Sequence, residues 1–106
     1  MAWVYLIVAG LFEIGWPVGL KLSPGRLIVG VIVAVVCMAA SGAFLWLAQK
    51  TIPIGTAYAV WTGIGAAGTF MVGILFYGDS ASAWRLVSVG LIVAGIIGLK
   101  LAHGPG

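Results

Sequence analysis

One carboxylate lies inside the first apolar run of this sequence. Glu13 is the only charged residue in the segment 2–20, AWVYLIVAGLFEIGWPVGL. A charge at the centre of a membrane costs about 2.5–3.5 kcal/mol on insertion scales, so it needs water, a cation or a proton beside it. All five Lys and Arg residues lie at the ends of apolar runs, and none of them matches Glu13 in depth. The neutralising partner of Glu13 must therefore come from outside the chain.

This setting leaves two roles for Glu13. A carboxyl group that is protonated when empty, and ionised when an external cation binds, has the chemistry of a proton/cation exchange site. The alternative is a permanently protonated carboxyl that donates one hydrogen bond to a neighbouring helix. We expect the exchange site, because side chains of suitable chemistry accompany Glu13.

The residues nearest to Glu13 in sequence share its side of a helix. Gly10, Glu13 and Pro17 are spaced three and four apart, which aligns them on one helix face, and Trp16 borders that face. Pro17 has no N–H to donate to the carbonyl of Glu13, so a hydrogen-bond acceptor is left beside the carboxylate. An ordinary proline kink, tolerated in membrane helices, explains the same residue equally well.

The third apolar run carries polar tips on aromatic side chains. It contains GTAYAVWTGIGAAG at 55–68, in which Tyr58 and Trp61 are three apart and face one way. Each has an apolar body and one polar group that needs a partner when buried. Ser41, in the second run, can hydrogen-bond a carboxylate. Tight hydrogen bonding of this kind favours guanidinyl cations over bulky aromatic ones.

Glycines are dense in the same third run. Gly63 and Gly65 follow Trp61 closely, and glycine weakens a helix and lets it bend. We expect a mobile helix that alternates access to Glu13. Close packing of small residues is the alternative explanation.

The composition favours no enzyme and no metal site. Cys37 is the single cysteine, His103 is the single histidine, and Asp79 is the only acidic residue besides Glu13. We find no nucleophile–base pair and no metal cluster, so we expect no catalytic residue, no metal and no cofactor. The net charge of +3 comes from scattered residues rather than a basic patch, so no nucleic-acid partner is expected.

The elements that position these residues are membrane helices. The chain is 63% hydrophobic and only 7% charged, against about 25% charged residues in soluble domains. A spanning helix needs about 20 apolar residues. We predict an all-α membrane protein with four transmembrane helices in a single domain, 1–106. The expected helices cover 2–20, 27–49, 53–77 and 84–102.

The basic residues leave orientation nearly undecided. Short connections make neighbouring helices antiparallel, so Lys21, Arg26 and Arg85 share one side of the membrane. Lys50 and Lys100 share the other side with the N-terminal amine. The positive-inside rule then gives almost a tie. Either the protein has one weakly biased orientation, or copies insert both ways and pair antiparallel.

The fourth run carries small residues at a regular spacing. Gly90, Ala94 and Gly98 recur every four residues, a pattern that lets two helices approach closely. We expect dimer packing through this stripe. Packing inside the chain is the alternative.

These features together resemble the small multidrug resistance transporters. The resemblance rests on four helices in about 105 residues, one glutamate in the first helix, and IPIGTAYAVWTGIGAAG at 52–68. With FEIGW (12–16) and GIIGLKL (95–101), the chain is similar to the guanidinium-exporter branch. The resemblance covers essentially the whole chain, and its specific part is the third run.

The resemblance implies a multi-pass protein of the bacterial inner membrane, working in lipid as an antiparallel, dual-topology homodimer. It implies that protons move in while one guanidinium-type cation moves out, through a central site shared by two copies of Glu13. Substrate and protons would compete for these carboxylates. Mono-substituted ions such as guanylurea or biguanides fit the same expectation if their substituent points between helices.

The resemblance also assigns supporting roles. Trp16, Ser41 and Trp61 would hydrogen-bond and orient the two carboxylates. Tyr58 would help to switch access, and Gly10 would keep room beside the glutamate.

The sequence departs from the family pattern beside the site, where Pro17 follows Trp16 in place of a familiar Ala. The first loop also looks about two residues shorter than usual. Three other functions stay open. They are a multidrug exporter of quaternary ammonium or aromatic cations, a non-transporting subunit of a membrane complex, and a cation channel.

Overall fold

The protein is built from four long helices. The structure is a computed structural model that describes residues 1–22 and 27–103, and within these ranges it contains only helices and their connections. Each helix is long and apolar enough to cross a membrane. The all-α, four-helix prediction is confirmed, and the ends fall within two residues of the expected ones. The helices are α1 (Ala2–Leu22), α2 (Leu27–Gln49), α3 (Ile54–Tyr77) and α4 (Ala83–His103).

The ends of α3 follow from two residues with special backbones. Pro53 precedes the helix with φ −54°, and its carbonyl accepts the N–H of Ala57 at 2.9 Å. Gly78 ends the helix at φ 68°, in the left-handed region that glycine adopts without steric cost. The next N–H, of Asp79, turns back to the carbonyl of Gly73 at 3.1 Å. The chain therefore leaves α3 sharply and enters α4 after a short connection.

Helix α1 lies between α2 and α3, and small residues set its distance from both. A Cβ added to Gly19 would lie 2.7 Å from Val33 of α2, and one added to Gly15 would lie 2.8 Å from the sulfur of Cys37. Added bulk at either position would push α1 and α2 apart. At the α2–α3 end of the bundle, a buried cluster ties the three helices together. Its members are Leu6, Ala48, Ile52, Ala57 and Val60.

Helix α4 stands at the edge of the bundle. Its backbone approaches only α3, and none of its membrane-spanning residues is buried. The described part of the chain measures 46 × 34 × 17 Å, so its thinnest dimension is less than two helix diameters. A layer this thin has no room for an enclosed path between its own helices.

One of the five basic residues, Arg26, lies with the rest of the first loop, 23–26, outside the described ranges. The other basic residues are described at helix ends, as expected. Lys21 and Arg85 lie at one end of the bundle, and Lys50 and Lys100 lie at the other.

Candidate functional site

Glu13 lies half-buried in the middle of α1, with one oxygen held by its own helix. Trp16 Nε1 donates a hydrogen bond to Glu13 Oε1 at 2.8 Å. The spacing of three residues makes this contact possible, since such pairs are neighbours on a helix surface. The bond fixes the carboxylate orientation and leaves its second oxygen able to accept from a ligand.

The described cations of the chain are engaged elsewhere. The ammonium groups of Lys21, Lys50 and Lys100 lie 4.8, 4.2 and 4.9 Å from the ring centroids of Tyr77, Trp46 and Trp3. Arg85 donates to the carbonyl of Ser80 at 3.3 Å. Among the residues that the structure describes, no basic side chain thus neutralises Glu13.

A glycine of α3 makes room for Glu13. A Cβ added to Gly65 would lie 2.5 Å from Glu13 Cγ, so any side chain there would collide with the glutamate. Gly65 is buried, and here α3 packs directly against the Cβ and Cγ atoms of Glu13. The run of glycines in the sequence predicts Gly65 as a point of bending. In the structure α3 is one continuous helix here, and the feature that needs glycine is the close approach of Glu13.

Two further glycines bring neighbouring helices together near the site. A Cβ added to Gly10 would lie 2.5 Å from Ile64, and one added to Gly63 would lie 2.9 Å from Ile96 of α4. The resemblance implies that Gly10 keeps room beside the glutamate. Its neighbour in this structure is Ile64, so Gly10 admits α3 as a whole and acts on Glu13 only through that approach.

A chain of hydrogen bonds crosses three helices one turn before Glu13. Trp61 Nε1 of α3 donates to Ser41 Oγ of α2 at 2.7 Å, and Ser41 Oγ donates to the carbonyl of Ala9 in α1 at 2.7 Å. Ser41 is only 1% exposed. The carbonyl of Ala9 is also the helical acceptor for the N–H of Glu13, four residues on. Ser41 and Trp61 thus fix the backbone that carries Glu13, and within one chain they do not touch its carboxylate.

Tyr58 packs against Trp61 at the outer end of this chain of hydrogen bonds. Its ring meets the ring of Trp61 edge-on, with centroids 5.4 Å apart and an interplanar angle of 61°. The tyrosine is 55% exposed, so its side chain lies at an open face of the chain. Within one copy Tyr58 contacts Trp61 and is separated from Glu13.

The structure therefore groups the expected residues into three sets. Glu13 and Trp16 lie together against Gly65. Ser41, Trp61 and Tyr58 form a second set, which reaches Glu13 through the carbonyl of Ala9. The α4 stripe is apart from both, because a Cβ added to Gly90 or Gly98 would meet nothing within 4 Å.

The sequence does not reveal the part played by the Ala9 carbonyl, and it predicts Gly65 only as a point of bending. The carbonyl of Ala9 has no side-chain signature, and a helical spacing was the only signal for Gly65. Ala9 and Glu13 are four apart in α1, and Trp61 and Gly65 are four apart in α3. Each pair spans about one helical turn. A fold that places Trp61 near Ala9 therefore also places Gly65 opposite Glu13.

Comparison with known proteins agrees with this architecture. The sequence profile of the Small Multidrug Resistance protein family matches residues 1–92. The Guanidinium exporter of Yersinia pseudotuberculosis serotype I is 56% identical over 103 residues, which cover 96% of this chain and 99% of the relative. The Guanidinium exporters of Salmonella typhimurium and Citrobacter freundii are 54% and 53% identical over the same length, covering 96% of this chain and 98% of each relative.

The match extends over nearly the whole chain, and so it includes all four helices. Family and relatives' names indicate a transporter rather than an enzyme. The resemblance that IPIGTAYAVWTGIGAAG carried is confirmed. The chain belongs to the Small Multidrug Resistance family, as a multi-pass protein of the bacterial inner membrane.

Proposed function

We propose that this protein exports guanidinium and small guanidinyl cations in exchange for protons, as an antiparallel homodimer with two copies of Glu13 in one central site. The observation that carries the proposal is a half-buried carboxylate with no described cation of its own chain. Relatives that are 53–56% identical and named Guanidinium exporter support the choice of cation.

The geometry of Glu13 suits a planar cation. Guanidinium stays charged at neutral pH and presents pairs of N–H groups that match a carboxylate in bidentate fashion. Trp16 orients one oxygen of Glu13 and leaves acceptor positions for the ligand. Two such carboxylates hold opposite edges of one ion. Guanylurea and biguanides bind the same way through their unsubstituted edge.

Protons and substrate compete because they need the same oxygens. A protonated carboxyl group becomes a donor and loses the bidentate acceptor geometry that a guanidinium requires. An empty site with two ionised carboxylates is costly in a membrane interior, so only the cation-loaded or proton-loaded protein changes its access. This alternation couples export of the cation to uptake of protons.

A second copy completes the site. One chain is a layer 17 Å thick with Tyr58 on an open face, so a partner copy supplies the opposite wall. The open stripe of Gly90, Ala94 and Gly98 gives α4 a surface for close helix packing. The near tie of basic residues lets the two copies insert in opposite orientations.

The membrane potential assists export if two protons enter for each monovalent cation that leaves. One net positive charge then moves inward per cycle, which is worth about 2.3 kcal/mol per 100 mV. Hydrogen bonding around Glu13 controls which cations complete the cycle, and Pro17 borders that site.

Electrical currents from proteoliposomes test the proposal. Purified protein is perfused rapidly with guanidinium and then with a tetraalkylammonium ion, and Glu13→Gln serves as the control. A guanidinium current that Glu13→Gln abolishes is the expected result. A current with the bulky cation alone would make the protein a multidrug exporter. Silence with both ions would leave it a subunit of another complex, and flux without proton coupling would make it a channel.

A further inference from the structure

A cavity lined in part by polar side chains lies along the contact of α1 with α3, towards the C-terminal ends of both helices. Its volume is about 150 Å³. At about 30 Å³ per water molecule, it has room for several waters or one small cation. Its wall combines two apolar side chains, a proline and a glycine with four side chains that carry polar groups. These residues are Pro17, Val18, Lys21, Thr69, Val72, Gly73, Tyr77 and Asp79.

This cavity begins one helical turn from the candidate site. Pro17 is four residues after Glu13 in α1, and Thr69 is four residues after Gly65 in α3. Because Glu13 and Gly65 are in contact, the next turn of both helices lies directly beyond them towards the loops. The cavity is therefore a neighbour of the Glu13 site on the side of the membrane that carries Lys21 and Arg85.

A carboxylate is held at this cavity by the backbone. Gly78 reverses the chain in the left-handed conformation, and the N–H of Asp79 bonds to the carbonyl of Gly73 at 3.1 Å. The turn folds the Asp79 carboxylate back against Gly73, where an added Cβ would collide with it. Asp79 is the only acidic residue of the chain besides Glu13. Its position lines the cavity with a negative charge.

The aromatic wall of the cavity already binds a cation. Lys21 Nζ lies 4.8 Å from the centroid of the Tyr77 ring, within the range of a cation–π interaction. The Tyr77 hydroxyl is buried and has no hydrogen-bond partner among the described residues. The ring face of Tyr77, where the Lys21 ammonium lies, is therefore the part of this side chain that a ligand in the cavity can contact.

We propose that this cavity is a second, weaker cation site, where a guanidinium ion waits between the aqueous side and Glu13. The ion binds the Asp79 carboxylate and the Tyr77 ring and displaces the Lys21 ammonium. The proposal rests on the proposed function for the class of substrate. Lys21 acts as a tethered competitor, which keeps the wall occupied by a cation when no substrate is present.

Ring-labelled tyrosine NMR on the Glu13→Gln variant in lipid nanodiscs tests this site alone. The chain has three tyrosines, so the Tyr77 signal is assigned by its loss in Tyr77→Phe. Guanidinium chloride is titrated against sodium chloride at equal ionic strength. We expect a saturable shift of the Tyr77 signal. Because this variant does not need to transport, failed export in the wild type and failed binding here are separate results.

Two substitutions should shift the apparent Kd in opposite directions. Asp79→Asn should weaken guanidinium binding by about fivefold, the scale of one exposed charge pair. Lys21→Gln should tighten it by about threefold, because the competing cation–π contact with the half-buried Tyr77 ring is lost. Arg85→Gln is the matched control, since Arg85 lies on the same side and does not line the cavity.

Three outcomes would overturn the proposal. One is a Tyr77 signal that does not saturate with guanidinium. Another is weaker guanidinium binding in both Asp79→Asn and Lys21→Gln, which would show that Lys21 supports binding rather than competing with the ion. The third is equal tightening in Arg85→Gln and Lys21→Gln, which would trace the effect to general surface charge.

Discussion

The glycines of the α1–α3 contact and those of α4 have opposite surroundings. Neighbouring side chains occupy the space beside three of these glycines. A Cβ added to Gly10, Gly65 or Gly68 would meet Ile64, Glu13 or Ile14 respectively. Gly90 and Gly98 face open space. The same residue type in equally apolar helices thus serves two purposes. Glycines that contact neighbouring side chains set the distances between helices of one chain. Glycines with nothing beside them leave a surface that a helix from outside the chain can approach closely.

The small-residue stripe of α4 faces away from α3. Ile96 and Ile92 are the α4 side chains that approach Gly63 of α3. At 100° per residue they lie roughly opposite Gly90 and Gly98 on the helix circumference. One side of α4 is therefore used within the chain, and the other is free along its length. Packing inside the chain does not explain the stripe.

The largest effect on flux is expected from substituting Gly65, which contacts Glu13. In Gly65→Ala the new methyl group would collide with Glu13 Cγ, so the glutamate or the helix must shift. Overpacking of this kind costs about 1–3 kcal/mol, and displacement of the carboxylate should lower guanidinium flux by about tenfold or more.

Flux in proteoliposomes and thermal unfolding in detergent measure the two effects of Gly65→Ala. Gly55→Ala is the control on the same helix, because nothing lies within 4 Å of its added Cβ. Equal behaviour of the two variants would show that the contact with Glu13 has no functional importance.

The next substitution tests the association of two copies separately from the folding of each copy. Gly98→Leu adds bulk to the open side of α4, where it meets nothing within the chain but should block close approach of a second copy. We expect a smaller dimer fraction and a severalfold lower flux, with the helices of each copy unchanged by circular dichroism.

Cross-linking in membranes measures the dimer fraction of Gly98→Leu. The control is Ser88→Leu, which adds the same side chain to an exposed position of α4 away from the stripe. A Gly98→Leu protein that dimerises like the wild type would remove the stripe from the interface.

A smaller effect is expected at the buried hydroxyl behind Glu13. Ser41→Ala removes the acceptor of Trp61 Nε1 and the donor to the carbonyl of Ala9. An unsatisfied buried donor costs about 1–3 kcal/mol. Unfolding in detergent should show this loss, whereas Ser88→Ala, which removes an exposed hydroxyl bonded within its own helix, should be nearly neutral. Equal losses would contradict the proposed link between the three helices.

The smallest effect should come from the end of α4. Lys100 Nζ lies over the ring of Trp3, so it links α4 to α1 outside the α3 contact. Lys100→Met keeps the length of the side chain and removes its charge, at a cost of about 0.5–1 kcal/mol. Hydrogen exchange should become faster in the last turns of α4 and stay constant in α1. Unchanged exchange in α4 would mean that Lys100 does not contribute to its docking.

The sequence was sufficient for the helices and for the placement of Glu13 in the middle of α1. Four long apolar runs separated by short polar connections allow few other folds in a membrane. The contact of Trp16 with Glu13 also follows from sequence, because a spacing of three residues within one helix fixes the neighbours.

Contacts between helices could not be read in the same way. Ser41 donates to Ala9 rather than to a carboxylate, and Gly10 meets Ile64, because both depend on the relative register of α1, α2 and α3. Spacing along one helix carries no information about that register. The same limit applies to the cavity at Asp79, whose position depends on how Gly78 turns the chain.

Proton release on substrate binding tests the central claim most directly. Purified protein in weakly buffered detergent is mixed with guanidinium chloride, and the protons released are counted with a pH-sensitive dye. If protons and substrate compete for Glu13, binding should release protons from the wild type and none from Glu13→Gln. Binding of guanidinium to the wild type without proton release would contradict the account.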